Sequence, residues 1–319
     1  MIPNPPSPNP FFAFDNGLND EAHRSLSAKA ETLRQLGYDG VGWRPGRVLE
    51  MRAELDRRGL KMFTLYTGAW IDGRSPPYDP QLPGIIRQLQ GSDTIIWLTV
   101  HSSKDRPSSP AGDARALPVL RKIADLAAQA GLRAALYPHY GCWVQTVEDA
   151  LRVVRRLDRP NVGVSFNLCH CLRCGNGDRI PKILRAARPW LYVVSINGAD
   201  SKSRDWSRLI QTLDRGDFDL LGLLRQLRAL NYAGPIGLQC YNIPGSVREN
   251  LTRSMRAWRR FSEQLRADSN RVEQFNGLEG RFGFPAATAP PTIGAEPRLG
   301  RKGSTLRSGK LDSANDSSR

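Results

Sequence analysis

The chain has 319 residues, 40% of them hydrophobic and 24% charged, which is enough to bury one large core. No stretch approaches the ~18 consecutive apolar residues of a membrane span, and MIPNPPSPNP lacks the basic and apolar regions of a secretory leader, so a cytoplasmic protein off the membrane is expected. The net charge of +15 invites a nucleic-acid reading. Its arginines, however, scatter over expected helix surfaces with no aromatic-interleaved loop, so no nucleic-acid partner is expected.

After a proline-rich lead-in (1–9), β-type runs alternate with helical ones. The expected strands are FFAFD (11–15), GVGWR (40–44), KMFTLY (61–66), TIIWLTV (94–100), RAALYP (133–138), VGVSFN (162–167), LYVVSI (191–196) and PIGLQC (235–240). Between them, DEAHRSLSAKAETLRQLG (20–37) and ALPVLRKIADLAAQAGL (116–132) place apolar residues at helical spacing and end on glycine stops. Residues 147–160, 180–189, 218–234 and 247–265 complete the helical set. Beyond 267 the chain turns Gly-, Pro- and Ser-rich without apolar periodicity, so 268–319 is expected to be a disordered basic tail.

Eight such units in about 255 residues match a single (β/α)₈ TIM barrel, typically ~250 residues long, over 10–267. An open doubly wound sheet would want a glycine-rich phosphate loop after an early strand, and FFAFDNGLND is not one. Several expected strands turn polar at their C-terminal ends, where such barrels place their chemistry.

The phrases GYDGVGW (37–43), RRGLKMF (57–63), PNVGVSFNLCH (160–170) and GPIGLQCYN (234–242) resemble the xylose-isomerase-like barrel superfamily of sugar-phosphate isomerases and epimerases. The resemblance covers roughly 10–265. Together, LYPH, NLCH, SINGAD and GLQCYN suggest a subgroup of isomerase-like members. In the family's metal-dependent members, strand 5 ends in Glu, strand 6 in Asp-x-x-His, strand 7 presents His and strand 8 ends in Glu. Carried across, those positions fall on Tyr137, Asn167, Ser195 and Gln239, while His170 keeps its place and His139 lies just past strand 5.

A hard divalent cation is held by anionic oxygens, and amides supply none, so no cofactor is expected; a divalent metal returns only if the carry-over is misplaced. Proton transfer beside a carbonyl then falls to His139 and His170, with Tyr137 donating to an oxyanion. Asn167, Ser195, Asn197, Asp200, Gln239, Asn242, Asp15 and Tyr66 are the expected contacts for a sugar, with Asn16 beside Asp15 on the same rim. The aromatics Trp43, Trp70, Trp97, Tyr140, Trp143 and Tyr241 are further candidates to stack on a ring.

Five cysteines in a large chain point to reduced thiols rather than a disulfide framework. A separate zinc reading uses Cys169, Cys171 and Cys174 with His139, although 169 and 171 would point oppositely in an extended segment. The expected function is a sugar or sugar-phosphate isomerase or epimerase acting without metal. A non-catalytic sugar-binding barrel is the alternative, and an apurinic endonuclease is remote because the chain has four histidines to supply its metal cluster.

Overall fold

A computed structural model describes residues 9–279, with side chains described as far as Asp268. The lead-in before residue 9 and the expected tail beyond 279 lie outside the described residues. The chain divides into units Met1–Val272 and Glu273–Arg319, and the barrel lies within the first.

Eight parallel strands close in sequence order: β1 Phe11–Phe14, β2 Gly40–Trp43, β3 Lys61–Trp70, β4 Ile95–His101, β5 Ala134–Leu136, β6 Val162–Asn167, β7 Leu191–Ile196 and β8 Ile236–Leu238. The α-helices between and after them are α1 Leu26–Leu36, α2 Val48–Asp56, α3 Leu82–Gln88, α4 Asp113–Gln129, α5 Val147–Leu157, α6 Leu168–Arg173, α7 Ile180–Ala187, α8 Trp206–Leu209, α9 Leu220–Ala229 and α10 Val247–Glu279. The (β/α)₈ expectation is met. No helix among the described residues is long and apolar enough to cross a membrane.

Local chemistry sets the helix ends. Ser25 caps α1 by accepting the Ala28 N–H, and Gly37, at φ +85°, closes it in the left-handed conformation that glycine adopts without a Cβ penalty. This cap splits the helix expected over 20–37 into a short 3-10 turn at Glu21–His23 and α1 proper. Thr146 and Asp149 form a reciprocal capping box on α5. That helix buries Val147, Ala150, Leu151, Val154 and Leu157 at helical spacing against the barrel.

Four short helices, α2, α3, α6 and α8, have no counterpart among the expected elements, because runs of four to nine residues carry too few turns for periodicity to show. Two further corrections bear on the site and the tail. Strand β3 runs four residues past the expected end at 66, since its pairing with β4 continues to Trp70↔His101. Helix α10 runs past the expected barrel end at 267 to Glu279.

The barrel interior is a cluster separate from the outer layer under the helices. It consists of Phe12, Phe14, Ile95, Trp97, Ala135, Tyr137 and Val193. Large rings fit because the two strands flanking β1 present glycine: a Cβ on Gly237 would stand 2.5 Å from Phe14 and 2.6 Å from Phe12, and one on Gly42 would stand 2.9 Å from Phe12. The glycines of GVGW and PIGLQ therefore make room for the phenylalanines of FFAF. Gly237→Val is expected to lower the unfolding free energy by roughly 1–3 kcal/mol through overpacking. Urea denaturation checks this: the midpoint should fall with an unchanged slope, whereas an unmoved midpoint would mean the phenylalanines can give way.

Candidate active site

A cavity of about 900 Å³ opens at the C-terminal ends of the strands, the face where parallel barrels gather residues from successive loops. Strand β1 leads into Asp15 and Asn16, and β2 into Arg44. Strand β3 contributes Tyr66 and Trp70, and β4 contributes Trp97. From beyond β5 come Tyr137, His139 and Tyr140, from α6 His170, from α8 Trp206, and from beyond β8 Gln239, Tyr241 and Asn242.

The two histidines stand side by side, ring centroids 3.9 Å apart, and the backbone of one residue, Tyr140, addresses both. His139 Nδ1 lies 3.0 Å from the Tyr140 carbonyl oxygen. A carbonyl only accepts, so Nδ1 of His139 carries the proton and Nε2 keeps a lone pair. The Tyr140 N–H donates to His170 Nδ1 at 3.3 Å. That nitrogen must be the acceptor, so Nε2 of neutral His170 carries the proton. These tautomers are assigned from the fixed donor and acceptor of the backbone. Neither Nε2 has a protein hydrogen-bond partner among the described residues, and both histidines line the cavity.

The loop that presents Tyr140 is itself tied down. The Cys142 N–H donates to the His139 carbonyl at 2.9 Å, and the His139 N–H to the Val144 carbonyl at 3.1 Å. Gly141, at φ +83°, supplies the turn. Burial pulls His139 below the ordinary histidine value, against the opposing hydrogen bond to Tyr140. Burial, then the neighbouring His139, holds His170 well below it.

Beneath the pair, Tyr137 stacks on Trp97 with centroids 4.2 Å apart, and the Trp97 indole N–H donates to Ser165 Oγ at 2.7 Å. The Tyr137 hydroxyl accepts from Asn167 Nδ2 and bonds the Gln239 side chain. Gln239 Oε1 in turn accepts from Asn16 Nδ2 at 3.0 Å and from the Tyr241 N–H at 3.2 Å. Burial pushes the phenol well above its usual pKa, so it stays protonated. Across the cavity, Asp15 is paired with Arg44; burial raises its carboxyl even against that guanidinium.

Seven of the expected site residues line the cavity: Tyr137, His139, His170, Gln239, Asn242, Asp15 and Tyr66. Four do not. Asn167 lies behind Tyr137, fully engaged with its hydroxyl and with Cys169 Sγ. Ser195, paired with Asn167 across β6 and β7, is buried and its Oγ has no partner. Asn197 donates to the Gly198 and Leu209 carbonyls and so holds the loop after β7. Asp200 is drawn away by Arg208 at 2.7 Å.

The extended geometry expected for the zinc reading is corrected. Cys169 and Cys171 lie on helix α6, not on an extended segment. Cys171 and Cys174 reach the carbonyls of Asn176 and Gln145 at 3.9 and 4.0 Å, and burial raises their thiols to about 12 and about 11. His139 instead neighbours Cys142, whose Sγ is 3.5 Å from Nδ1 of both His139 and His101. Among the described residues no group of three or more His, Cys, Asp or Glu side chains is placed to hold a metal ion.

Sequence reasoning passed over Arg44, Trp206 and His101. His101 lay one residue past the strand end expected at 100, and Arg44 closes the expected second strand at the polar end already singled out elsewhere. Trp206, on a four-residue helix, gave no periodic signal. Of the expected aromatics, Trp43 and Trp143 are buried away from the cavity, with indole N–H groups on the carbonyls of Gly46 and Ser109.

A family model described as xylose isomerase-like TIM barrel matches residues 30–261. Among curated proteins, the chain is 28% identical over 177 residues to a 3-dehydroshikimate dehydratase of Pseudomonas aeruginosa, covering 53% of this chain and 28% of that protein. The chain thus spans about a quarter of that relative's length. The solved 3-keto-D-glucoside 4-epimerase YcjR of E. coli superposes with a TM-score of 0.64 at 21% identity, over 79% of this chain and 99% of its own. The IolI protein with a bound zinc atom superposes with a TM-score of 0.66 at 14% identity, over 80% and 98%. At these identities the solved structures establish the fold.

The buried imidazoles make stability depend on pH. An unfolded histidine titrates near ~6.5 and these two titrate lower when folded, so below that pH the unfolded chain binds more protons than the folded one. Their contribution is complete above about pH 6.5 and is lost as pH falls toward their folded values. The urea midpoint is therefore expected to drop more between pH 7 and 5 in the wild type than in a His139→Gln/His170→Gln double variant. Equal drops would show that the imidazoles protonate as readily in the folded chain.

Proposed function

The chain belongs to the xylose isomerase-like TIM barrel family, and on that premise we propose that it is a sugar isomerase or epimerase that moves a proton beside a carbonyl, with His139 as base and His170 as acid. The observation that carries the reading is the Tyr140 backbone, whose carbonyl and N–H bind the two rings in opposite tautomers. One adjacent Nε2 is left to take a proton and the other to give one. Enolisation needs that pair.

In the proposed step, His139 Nε2 removes the proton from the carbon next to the carbonyl. The C–H electron pair forms the new C=C bond, and the carbonyl π pair moves to oxygen, where it takes the proton of His170 Nε2. The resulting enol or enediol has lost its stereochemistry at that carbon. Return of a proton to the opposite face gives an epimer, and return to the neighbouring carbon gives an aldose–ketose isomer. Tyr137, protonated and on the cavity wall, is a further donor for the developing oxyanion. The names of the relatives support a keto substrate, because a 3-dehydroshikimate and a 3-keto-D-glucoside both carry a ketone.

The donor chemistry at the four strand ends argues against a divalent ion there. Tyr137 is a neutral phenol whose oxygen faces amide groups, Ser195 is a buried hydroxyl, and Asn167 and Gln239 bring no charge. Carboxylates that would neutralise a hard cation are missing from those positions, so the reading routes no step through a metal.

Incubation with ketoses in deuterium oxide tests this. Deuterium should enter the C–H beside the substrate carbonyl, and His139→Ala and His170→Ala should each slow the exchange by about 10²-fold or more. The acid limb of kcat/KM should lie below the ordinary histidine value of ~6.5, following the lowered His139. Saturable binding with no exchange at any pH would leave a sugar-binding barrel in place of an enzyme.

A further inference from the structure

We infer that the cavity selects uncharged ketoses carrying a second ring and rejects phosphorylated ones. This rests on reading the cavity as a ketose site and adds the class of ketose. The chain as a whole carries +15, yet the cavity wall does not share that charge. Its charged side chains are Asp15, Arg44 and Asp79. Arg44 is answered by Asp15, which leaves the wall with a surplus carboxylate when the histidines are neutral. A phosphate entering here would lose its hydration with no unanswered cation among the wall residues to replace it.

The uncommitted polar atoms of the wall suit hydroxyls. Asn16 Oδ1 and Thr64 Oγ1 are buried and have no partner. Because Asn16 Nδ2 is taken by Gln239 Oε1, the atom that Asn16 offers is an acceptor, which attracts a sugar O–H and repels a phosphate oxygen. Buried polar groups are normally satisfied, and these two are not in the free protein.

Size and lining indicate the second ring. A volume of about 900 Å³ is near the upper end of the ~300–1,000 Å³ range of small-molecule pockets, well beyond what a single pyranose fills. Among the described residues the exposed large hydrophobics are Leu49 and four aromatics, Tyr66, Tyr140, Trp206 and Tyr241, 36–59% exposed. All four aromatics line this one cavity. Two of them are held in advance: the Arg173 guanidinium sits 4.9 Å from the Tyr140 ring centre and 5.3 Å from that of Trp206. A rim of partly ordered aromatic faces is a platform for the C–H face of a sugar ring beyond the one at the histidines.

Calorimetric titration of the full chain at low ionic strength, where its net charge would most favour anions, tests the inference with D-fructose, the two-ring ketose isomaltulose and D-fructose 6-phosphate. Isomaltulose is expected to bind at least tenfold more tightly than fructose, and the phosphate at least tenfold more weakly. Trp206→Ala and Tyr241→Ala should cut the two-ring advantage, read as each variant's ratio of isomaltulose to fructose affinity, to under threefold. Tighter binding of the phosphate, no gain from the second ring, or no binding of isomaltulose at millimolar concentration would each overturn it. These readouts need no turnover. A preference for isomaltulose without deuterium exchange sinks the proton-transfer reading alone, whereas exchange into fructose 6-phosphate in preference to isomaltulose sinks this inference alone.

Discussion

The limited volume inside an eight-stranded barrel governs this molecule. Side chains alternate in and out along each strand, and an eight-stranded interior is just wide enough to be filled by them. Here β1, β4 and the residue just past β5 send in Phe12, Phe14, Trp97 and Tyr137, and Gly42 and Gly237 yield the space that the phenylalanines need. The top of this packing is also the floor of the cavity: Tyr137 is stacked on Trp97 below and exposes its ring edge to both histidines, with centroids 5.6 and 5.7 Å away. The rigidity of the core is passed directly to the candidate chemistry.

That floor also determines the electrostatics above it. With a protonated phenol held by amides at the centre, the groups that converge from β1, β6 and β8 are neutral donors and acceptors. Burial first, then a neighbouring histidine, holds both imidazoles below the ordinary histidine value, and an uncharged imidazole can be either base or acid according to its tautomer. Tyr140 makes the choice through backbone atoms that no side-chain substitution removes, in a loop pinned by its own hydrogen bonds. The pair is thus preorganised before any ligand arrives, the condition under which positioned groups contribute most to a reaction.

The barrel was largely legible because its signals are local and repeated. Each expected strand coincides with an observed one, and a run such as VGVSFN needs only its own apolar continuity to be recognised as a buried parallel strand. Where the expectation failed, the information was not local. The helical turn of α6 inside NLCH follows a strand without a break in apolar character. The extension of β3 through Thr67, Gly68 and Ala69 is held by its neighbour β4 rather than by its own propensity.

For the site, strand-end position was enough to point to His139, His170, Tyr137, Gln239, Asn242, Asp15 and Tyr66, all of which the barrel gathers into one wall. It misplaced Asn197 and Asp200, because a loop residue's partners are decided by which carbonyl or arginine comes within reach, as the Leu209 carbonyl and Arg208 do here. By itself, the sequence determined the number and order of strands, the end of the barrel that carries polar groups and the absence of carboxylates from the four strand ends, since these follow from residue type and spacing along the chain. Tertiary structure alone decided the opposite tautomers of the two histidines, the answering of Arg44 by Asp15 and the gathering of four aromatics around one mouth. Each of these depends on distances between residues far apart in sequence or on the conformation of a single loop, and those distances exist only once the barrel has closed.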